Sequence, residues 1–246
     1  MICAVGGSEL LVGRTDVCNY PSNQLSQVPI VAKFGRPYLE SMLAQKPTLV
    51  LDIDLEDQSL HATWERLGIG HQHVECKHLA DIPSALRTVG RLSNTSATAE
   101  KLASSLESGL RDRQAAANKR PLAERPLVYV EIWNAPAMTA GRGSFVSELV
   151  ALAGGRNMGD ELPSAYATVS SEWVLTRNPD IILCLYMAND PHTRAGVFSR
   201  RGWQTLRAVQ NNRVYSDFTL DTILRPGPRV LEGVDQIHQA LFPTSP

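Results

Sequence analysis

The sequence predicts an α/β protein of two lobes connected by one long helix. Three observations carry that prediction. Short apolar runs alternate with helix-like stretches along the 246 residues, the pattern of strands joined by crossover helices. One phrase occurs twice, at residues 40–51 (ESMLAQKPTLVL) and 172–183 (EWVLTRNPDIIL), with Glu40/Glu172, Leu43/Leu175, Pro47/Pro179 and Leu51/Leu183 in register. Between the copies, residues 96–118 are dominated by Ala, Leu, Glu, Lys and Arg, and Leu102, Leu106 and Leu110 recur at steps of four. That spacing predicts an amphipathic helix about 30 Å long. The expected division is residues 1–95 for the first lobe, 96–120 for the connecting helix and 121–246 for the second lobe.

Residues 1–5 (MICAV) read as the middle of a buried helix that runs into the stop Gly6-Gly7. They carry no basic n-region, no h-region and no cleavage site, so a first strand and an export signal are expected to be missing from this sequence. A short strand is predicted at 11–14, followed by a loop rich in Asn, Pro and Ser at 16–29. The first copy of the repeat predicts a helix at 37–45, ended by Pro47, and a strand at 48–53. A helix at 59–67 closes at Gly68, and a strand follows at 71–75.

After the long helix, Pro121 and Pro126 interrupt the chain before a strand from 127 to 133. A Gly-rich turn at 139–144 leads to a helix at 145–153 closed by Gly154-Gly155. The second copy of the repeat supplies another helix and strand. A helix at 202–209, a strand at 213–215 and a final helix at 228–241 complete the chain, with Pro228 suited to a first turn, where no N–H is needed. Strands separated by helices predict mainly parallel sheets.

Hydrophobic residues make up 43% and charged residues 20% of the sequence, the balance of a globular protein with a substantial core. A formal charge of −1 argues against the broad basic face that nucleic acid requires. No apolar run approaches the roughly 18 residues that cross a bilayer, so the chain reads as soluble. Cys3, Cys18, Cys76 and Cys184 show no CxxC spacing; one disulfide is compatible with them, and the sequence does not fix a pairing. In HQHVECKH, alternation puts His71, His73 and Glu75 on one strand face, a zinc-like donor set set against the commoner reading of a solvated strand face. No metal site is assigned.

The phrase TDVCNYP (residues 15–21), the two ExxLxxxPxxxL blocks, AGGRN (153–157) and GPR (227–229) occur in the order found in the periplasmic substrate-binding proteins of ABC importers for vitamin B12, haem and ferric siderophores. The chain resembles that family over nearly its whole length, and most closely its cobalamin-binding branch. The resemblance implies two Rossmann-like lobes joined by a rigid interdomain helix, with a ligand cleft between them and small lobe motion. It implies transport and not catalysis, an ABC permease as partner, and a monomer outside the cytoplasm, periplasmic or lipid-anchored. The ligand would be cobalamin or another metal chelate, carried as cargo, with no resident cofactor.

Residue by residue, Glu40 and Glu172 match the two surface glutamates that dock on permease arginines, one from each lobe. Carboxylates suit arginine forks, although an acidic residue also favours any helix start. Phe34 and Tyr166 stand six residues before the two glutamates, where the cobalamin binders carry aromatics that press on the corrin. Aromatic faces bury large area at small entropic cost, which fits a flat macrocycle; core packing is the plain alternative. Asp16, Cys18, Asn19 and Tyr20 match the family's ligand loop, with Tyr20 a contact and Cys18 either a contact or a small packed residue. Trp133 and Asn134 end a strand, and Asp217 and Asp221 follow the last one, at positions suited to meeting a ligand. Arg225 offers a cation for acidic ligand groups, and Arg229 braces the last helix.

Enzyme signatures are missing from the sequence: there is no GxSxG, HExxH or Walker loop, and Gly141-Arg142-Gly143 lacks the dinucleotide spacing. A chelatase-like α/β enzyme is the alternative of a different class. An iron-siderophore binder on the same scaffold would recruit Arg36, Arg142 and Arg225.

Overall fold

The computed structural model describes residues 1–53, 60–186 and 193–243. It divides into two compact units, one of Met1–Cys76 with Asp81–Ser104 and one of Lys77–Ala80 with Ser105–Pro246.

In the first unit, residues 1–5 form a single hydrogen-bonded turn and not a length of helix. The predicted early strand lies slightly later, as β1 (Arg14–Thr15). The expected loop contains a one-turn helix, α1 (Ser22–Leu25). A hairpin follows, β2 (Ile30–Lys33) and β3 (Arg36–Pro37), and β1 pairs parallel with β2. Next come α2 (Leu39–Ala44), β4 (Leu49–Asp52), α3 (Leu60–Arg66) and β5 (Gly70–His73), with β4 and β5 paired in parallel. The expected start of α3 at Ser59 lies outside the described residues. Trp64 of α3 is fully buried against Val31, Met42 and Ile69, with Val50 and Leu60 alongside.

The sequence reading passed over α4 (Asp81–Leu92), because its stretch DIPSALRTVGRL holds both a proline and a glycine. Pro83 sits in the first turn, where a missing N–H costs nothing. Gly90 is required by packing: a Cβ there would stand 2.2 Å from the Cβ of Ala99 in α5 (Ser96–Asn118). The predicted long helix and α5 have the same ends. Arg87 of α4 grips Glu100 of α5 through two hydrogen bonds of 2.8 Å. With a third from Ser104, these hold the Glu100 carboxyl down to about 2.

The second unit is built on β6 (Leu127–Asn134), which pairs antiparallel with β7 (Ala137–Ala140). After α6 (Phe145–Leu152), β8 (Arg156–Asn157) returns parallel to the start of β6, and β9 (Tyr166–Thr168) lies antiparallel to β7. Then come α7 (Ser171–Arg177) and β10 (Ile181–Cys184), which pairs parallel with β6. The chain continues through α8 (Thr193–Ser199), α9 (Arg207–Gln210) and β11 (Val214–Tyr215), then α10 (Leu220–Ile223) and α11 (Val230–Leu241). The sheet order is β11-β10-β6-β7-β9 with β8 beside β6; its pairings are parallel except for the two that β7 makes, with β6 and β9. Two further boundaries differ from expectation. The Gly-rich turn is preceded by β7, and the helix expected at 202–209 breaks at extended Leu206 into a 3-10 turn and α9.

Both copies of the repeat fold alike. Lys46 and Asn178 occupy equivalent positions and both take left-handed backbone angles, φ 51° and 48°. Proline at the next position keeps each residue out of the right-handed helical region, and the left-handed conformation is the common way for a helix to end. Their burial differs: all four residues of β10 are buried inside the sheet, whereas β4 is only partly covered.

Beneath β6 lies one buried charge. Glu131 is completely inaccessible, and Arg200 donates to both its oxygens at 2.6 Å, with the Tyr186 hydroxyl as a third donor. Burial and the nearby Glu131 carboxylate push the neighbouring Cys184 thiol up to about 12, so it stays protonated.

Two outcomes follow. Arg200→Ala leaves the carboxylate unpaired and is expected to cost about 3–5 kcal/mol in urea unfolding; a loss below about 1 kcal/mol would contradict this role. Glu100 has a folded pKa below its unfolded value, so its contribution is present above about 4.5 and is lost as pH falls through about 2. A carbon-detected NMR titration should place the Glu100 midpoint near 2, and Arg87→Ala should return it to the ordinary glutamate range.

Candidate functional site

The loop that carries TDVCNYP in the first unit is organised by Arg14. Its Nε donates to the carbonyls of Leu25 (3.2 Å) and Val28 (3.0 Å), and its Nη1 to those of Thr15 (3.3 Å) and Cys18 (3.0 Å). One guanidinium thereby ties Thr15 and Cys18 of the TDVCNYP turn to Leu25 and Val28 beyond it, a role that sequence reasoning missed. Cys18 is exposed and unoxidised, and its Sγ accepts from the Thr15 hydroxyl at 3.2 Å. Asp16 reaches across to the β2–β3 hairpin, where its Oδ1 accepts from the Phe34 N–H at 3.1 Å. Phe34 sits at the tip with φ 50°, an uncommon angle for a bulky residue. Asp16, Cys18, Tyr20 and Phe34 are thus parts of one braced loop pair.

In the second unit, β7 lies between Trp133 and Tyr166. Trp133 pairs with Met138, Tyr166 with Ala140. The β6–β7 register shifts between Glu131 and Trp133, immediately before the tryptophan, the kind of irregularity that re-aims a side chain. Trp133 Nε1 donates to the Ala135 carbonyl at 3.0 Å, which fixes the ring. The chain reaches Tyr166 through a tight crossing. At Gly141 a Cβ would stand 2.1 Å from the Ser164 carbonyl oxygen, and Asn157 of the AGGRN motif donates to the Ala140 carbonyl at 2.8 Å.

Exposure separates these aromatics from the core. Tyr20 is 60% exposed, Phe34 46%, Trp133 46% and Tyr166 49%, whereas Trp64, Tyr129 and Trp203 are buried. Tyr38 is exposed as well and has no counterpart in the sequence reading. A shallow depression of about 680 Å³ on the first unit, bordered by Val12, Asn23, Gln24 and Gln45, contains none of the four. They form open aromatic surfaces and not the walls of that depression.

The remaining expected residues divide. Glu40 and Glu172 stand exposed in the first turns of α2 and α7, and among the described residues neither carboxylate has an ion-pair partner. Ser170 caps α7 by accepting from the Trp173 N–H at 3.1 Å, while Tyr38 in the first copy provides no side-chain cap. Asn134 and Asp217 are exposed. Asp221 pairs with Arg225 at 3.0 Å, so each neutralises the other. Arg229 is the N-cap residue of α11 and lies 3.8 Å from Glu232. Arg142 Nε donates to the Asp160 carbonyl at 2.8 Å.

The histidine cluster is arranged differently from the face expected at His71, His73 and Glu75. His71 and His73 both bond the carboxylate of Asp52, His73 at 2.8 Å. Burial of Asp52 opposes its charge, yet the hydrogen bonds from His73 and His71 outweigh it and lower its pKa. The third member of the donor group is His61, whose ring lies 4.0 Å from that of His71. Glu75 follows the end of β5 and is not part of it.

Each unit therefore presents exposed aromatic faces beside polar groups. The Periplasmic binding protein family matches residues 1–218, and the chain belongs to that family, one of solute carriers and not of enzymes. It is 26% identical over 250 residues to the uncharacterized ABC transporter substrate-binding lipoprotein YvrC of Bacillus subtilis, covering 98% of this chain and 76% of that protein. The crystal structure of the periplasmic vitamin B12 binding protein BtuF of Vibrio cholerae superposes with a TM-score of 0.81 at 26% identity, over 98% of this chain and 91% of that one. The periplasmic heme binding protein HutB of Vibrio cholerae shares the fold, with a TM-score of 0.85 at 20% identity over 98% and 94% of the two chains. No helix among the described residues is long and apolar enough to cross a membrane.

Proposed function

We propose that this protein is the substrate-binding component of an ABC import system, working outside the cytoplasm, and that its cargo is a corrinoid of the cobalamin type. The observation that carries the reading is the set of four exposed aromatics, Tyr20, Phe34, Trp133 and Tyr166, two on each unit, with Phe34, Trp133 and Tyr166 held by backbone contacts. A flat macrocycle offers such rings a broad apolar surface, so stacking and area burial supply affinity while a few polar groups set orientation. Cys18 and Asp217 are the polar contacts of this reading, with Asp221 reached only if its pairing with Arg225 opens. The similarity to a vitamin B12 binding protein supports the corrinoid reading.

Haem or a ferric siderophore is the second reading on the same scaffold. An anionic siderophore calls for unengaged cations, whereas Arg142 is engaged with a carbonyl and Arg225 with Asp221.

Glu40 and Glu172 are the docking groups of the proposal. Each is a solvated carboxylate at the start of a short helix, ready to meet an arginine fork on a permease. Release of the cargo then belongs to the permease and its ATP-driven partner, not to residues of this chain.

Truncating Phe34 or Tyr166 to alanine should weaken cyanocobalamin binding about 10- to 100-fold in calorimetry, the equivalent of about 1.5–3 kcal/mol for one buried aromatic; unchanged affinity in both variants would remove the aromatic contact. The double variant Glu40→Ala, Glu172→Ala should bind the ligand as the parent does and abolish uptake in a transport assay. Lost binding in that variant would place the glutamates in the ligand site instead.

A further inference from the structure

We propose that Asp52, His61 and His71 form a binding site for a divalent transition-metal ion of the zinc type, separate from the aromatic surfaces. The site draws one donor from each of three successive elements: Asp52 from the end of β4, His61 from the first turn of α3 and His71 from β5. A nitrogen from each histidine and a carboxylate oxygen of Asp52 lie within 4.8 Å of one another. Two imidazoles and a carboxylate are a donor set that zinc accepts, at about 2.0–2.2 Å from each atom, with a fourth position left for water. To admit the ion, the hydrogen bond between His71 Nε2 and the Asp52 carboxylate opens and the His61 ring draws in.

Two further features point to a ligand and not to packing alone. Nε2 of His61 is out of contact with solvent and has no hydrogen-bond partner among the described residues, an arrangement that costs free energy unless something occupies the lone pair or takes the proton. Asp52 and His71 are largely buried, with side chains 10% and 15% exposed, so their donor atoms are prearranged out of bulk water. His73 bonds the other carboxylate oxygen at 2.8 Å. That contact orients the carboxylate as outer-sphere partners do around metal ligands.

The physical effect follows from where the donors lie. β4 and β5 form a two-stranded sheet, an element that is marginal on its own, and α3 is its neighbour in sequence. An ion bound to all three would clamp this part of the first unit. It binds the folded arrangement and not the unfolded chain, so it should raise the unfolding temperature.

The test is a titration of the chelator-treated, full-length protein with ZnCl₂ by calorimetry, without corrinoid, together with Co²⁺ absorption spectra. One ion per chain is expected, with visible d–d absorption for Co²⁺ and a higher unfolding temperature with zinc. His61→Ala and His71→Ala should each weaken binding at least about tenfold, as loss of a ligand must exceed the effect of an outer-shell change. Circular dichroism checks that the variants fold. Should either fail to fold, His61→Gln and Asp52→Asn are substituted and the same loss is expected. Absent zinc binding, or zinc binding that is unchanged in folded variants, overturns the proposal. Either result leaves the transport reading untouched, because no residue of this site belongs to the aromatic or docking sets.

Discussion

The second unit depends on the pairing of Glu131 with Arg200. A carboxylate in the middle of the central strand, with no solvent at all, would be untenable alone, since desolvating an ion costs several kcal/mol even after relaxation. Two hydrogen bonds from one guanidinium and one from Tyr186 make it tenable. In doing so they tie the end of β10 and the residue after α8 to β6. The strand that carries Trp133 is therefore fixed from below two residues before that ring. The backbone irregularity between those positions turns a rigid strand into a presenting one.

The same logic, with different parts, operates in the first unit. At Phe34 an arginine distributes its donors over four carbonyls, and an aspartate holds the hairpin tip. Tyr20, Phe34, Trp133 and Tyr166 stay about half exposed, so each forgoes part of the about 1.5–3 kcal/mol that full burial would bring, while Trp64, Trp203 and Tyr129 are buried. The chain belongs to a family of solute-binding proteins, and the proposed function gives those exposed rings their partner.

Much of this was legible in the sequence because a few residues carry strong local physics. The long helix could be read to its ends, since some twenty residues of good helix formers admit no competing structure. The duplicated phrase revealed two equivalent helix-to-strand transitions, each ended before a proline that bars a right-handed helical residue there, with Lys46 and Asn178 both left-handed. Offsets from that phrase singled out Phe34 and Tyr166. What stayed hidden depends on contacts between distant residues. α4 was obscured because propensity penalises Gly90, and only its packing on Ala99 shows why glycine is wanted. The break at Leu206 and the antiparallel β7 were tertiary outcomes. Arg14 resembles any surface arginine until its carbonyl partners are known. Likewise Asp52 and His61 lie too far upstream of His71 for a spacing rule to connect them, so the expected donor face named Glu75 in their place.

The central claim is that the aromatic surfaces bind a corrinoid. It is tested most directly by calorimetric titration of the unaltered protein with cyanocobalamin, with haemin and a ferric siderophore as parallel ligands. The account predicts saturable one-to-one binding of cyanocobalamin, tighter than that of either other chelate. Binding of haemin or the siderophore with no response to cyanocobalamin would contradict it.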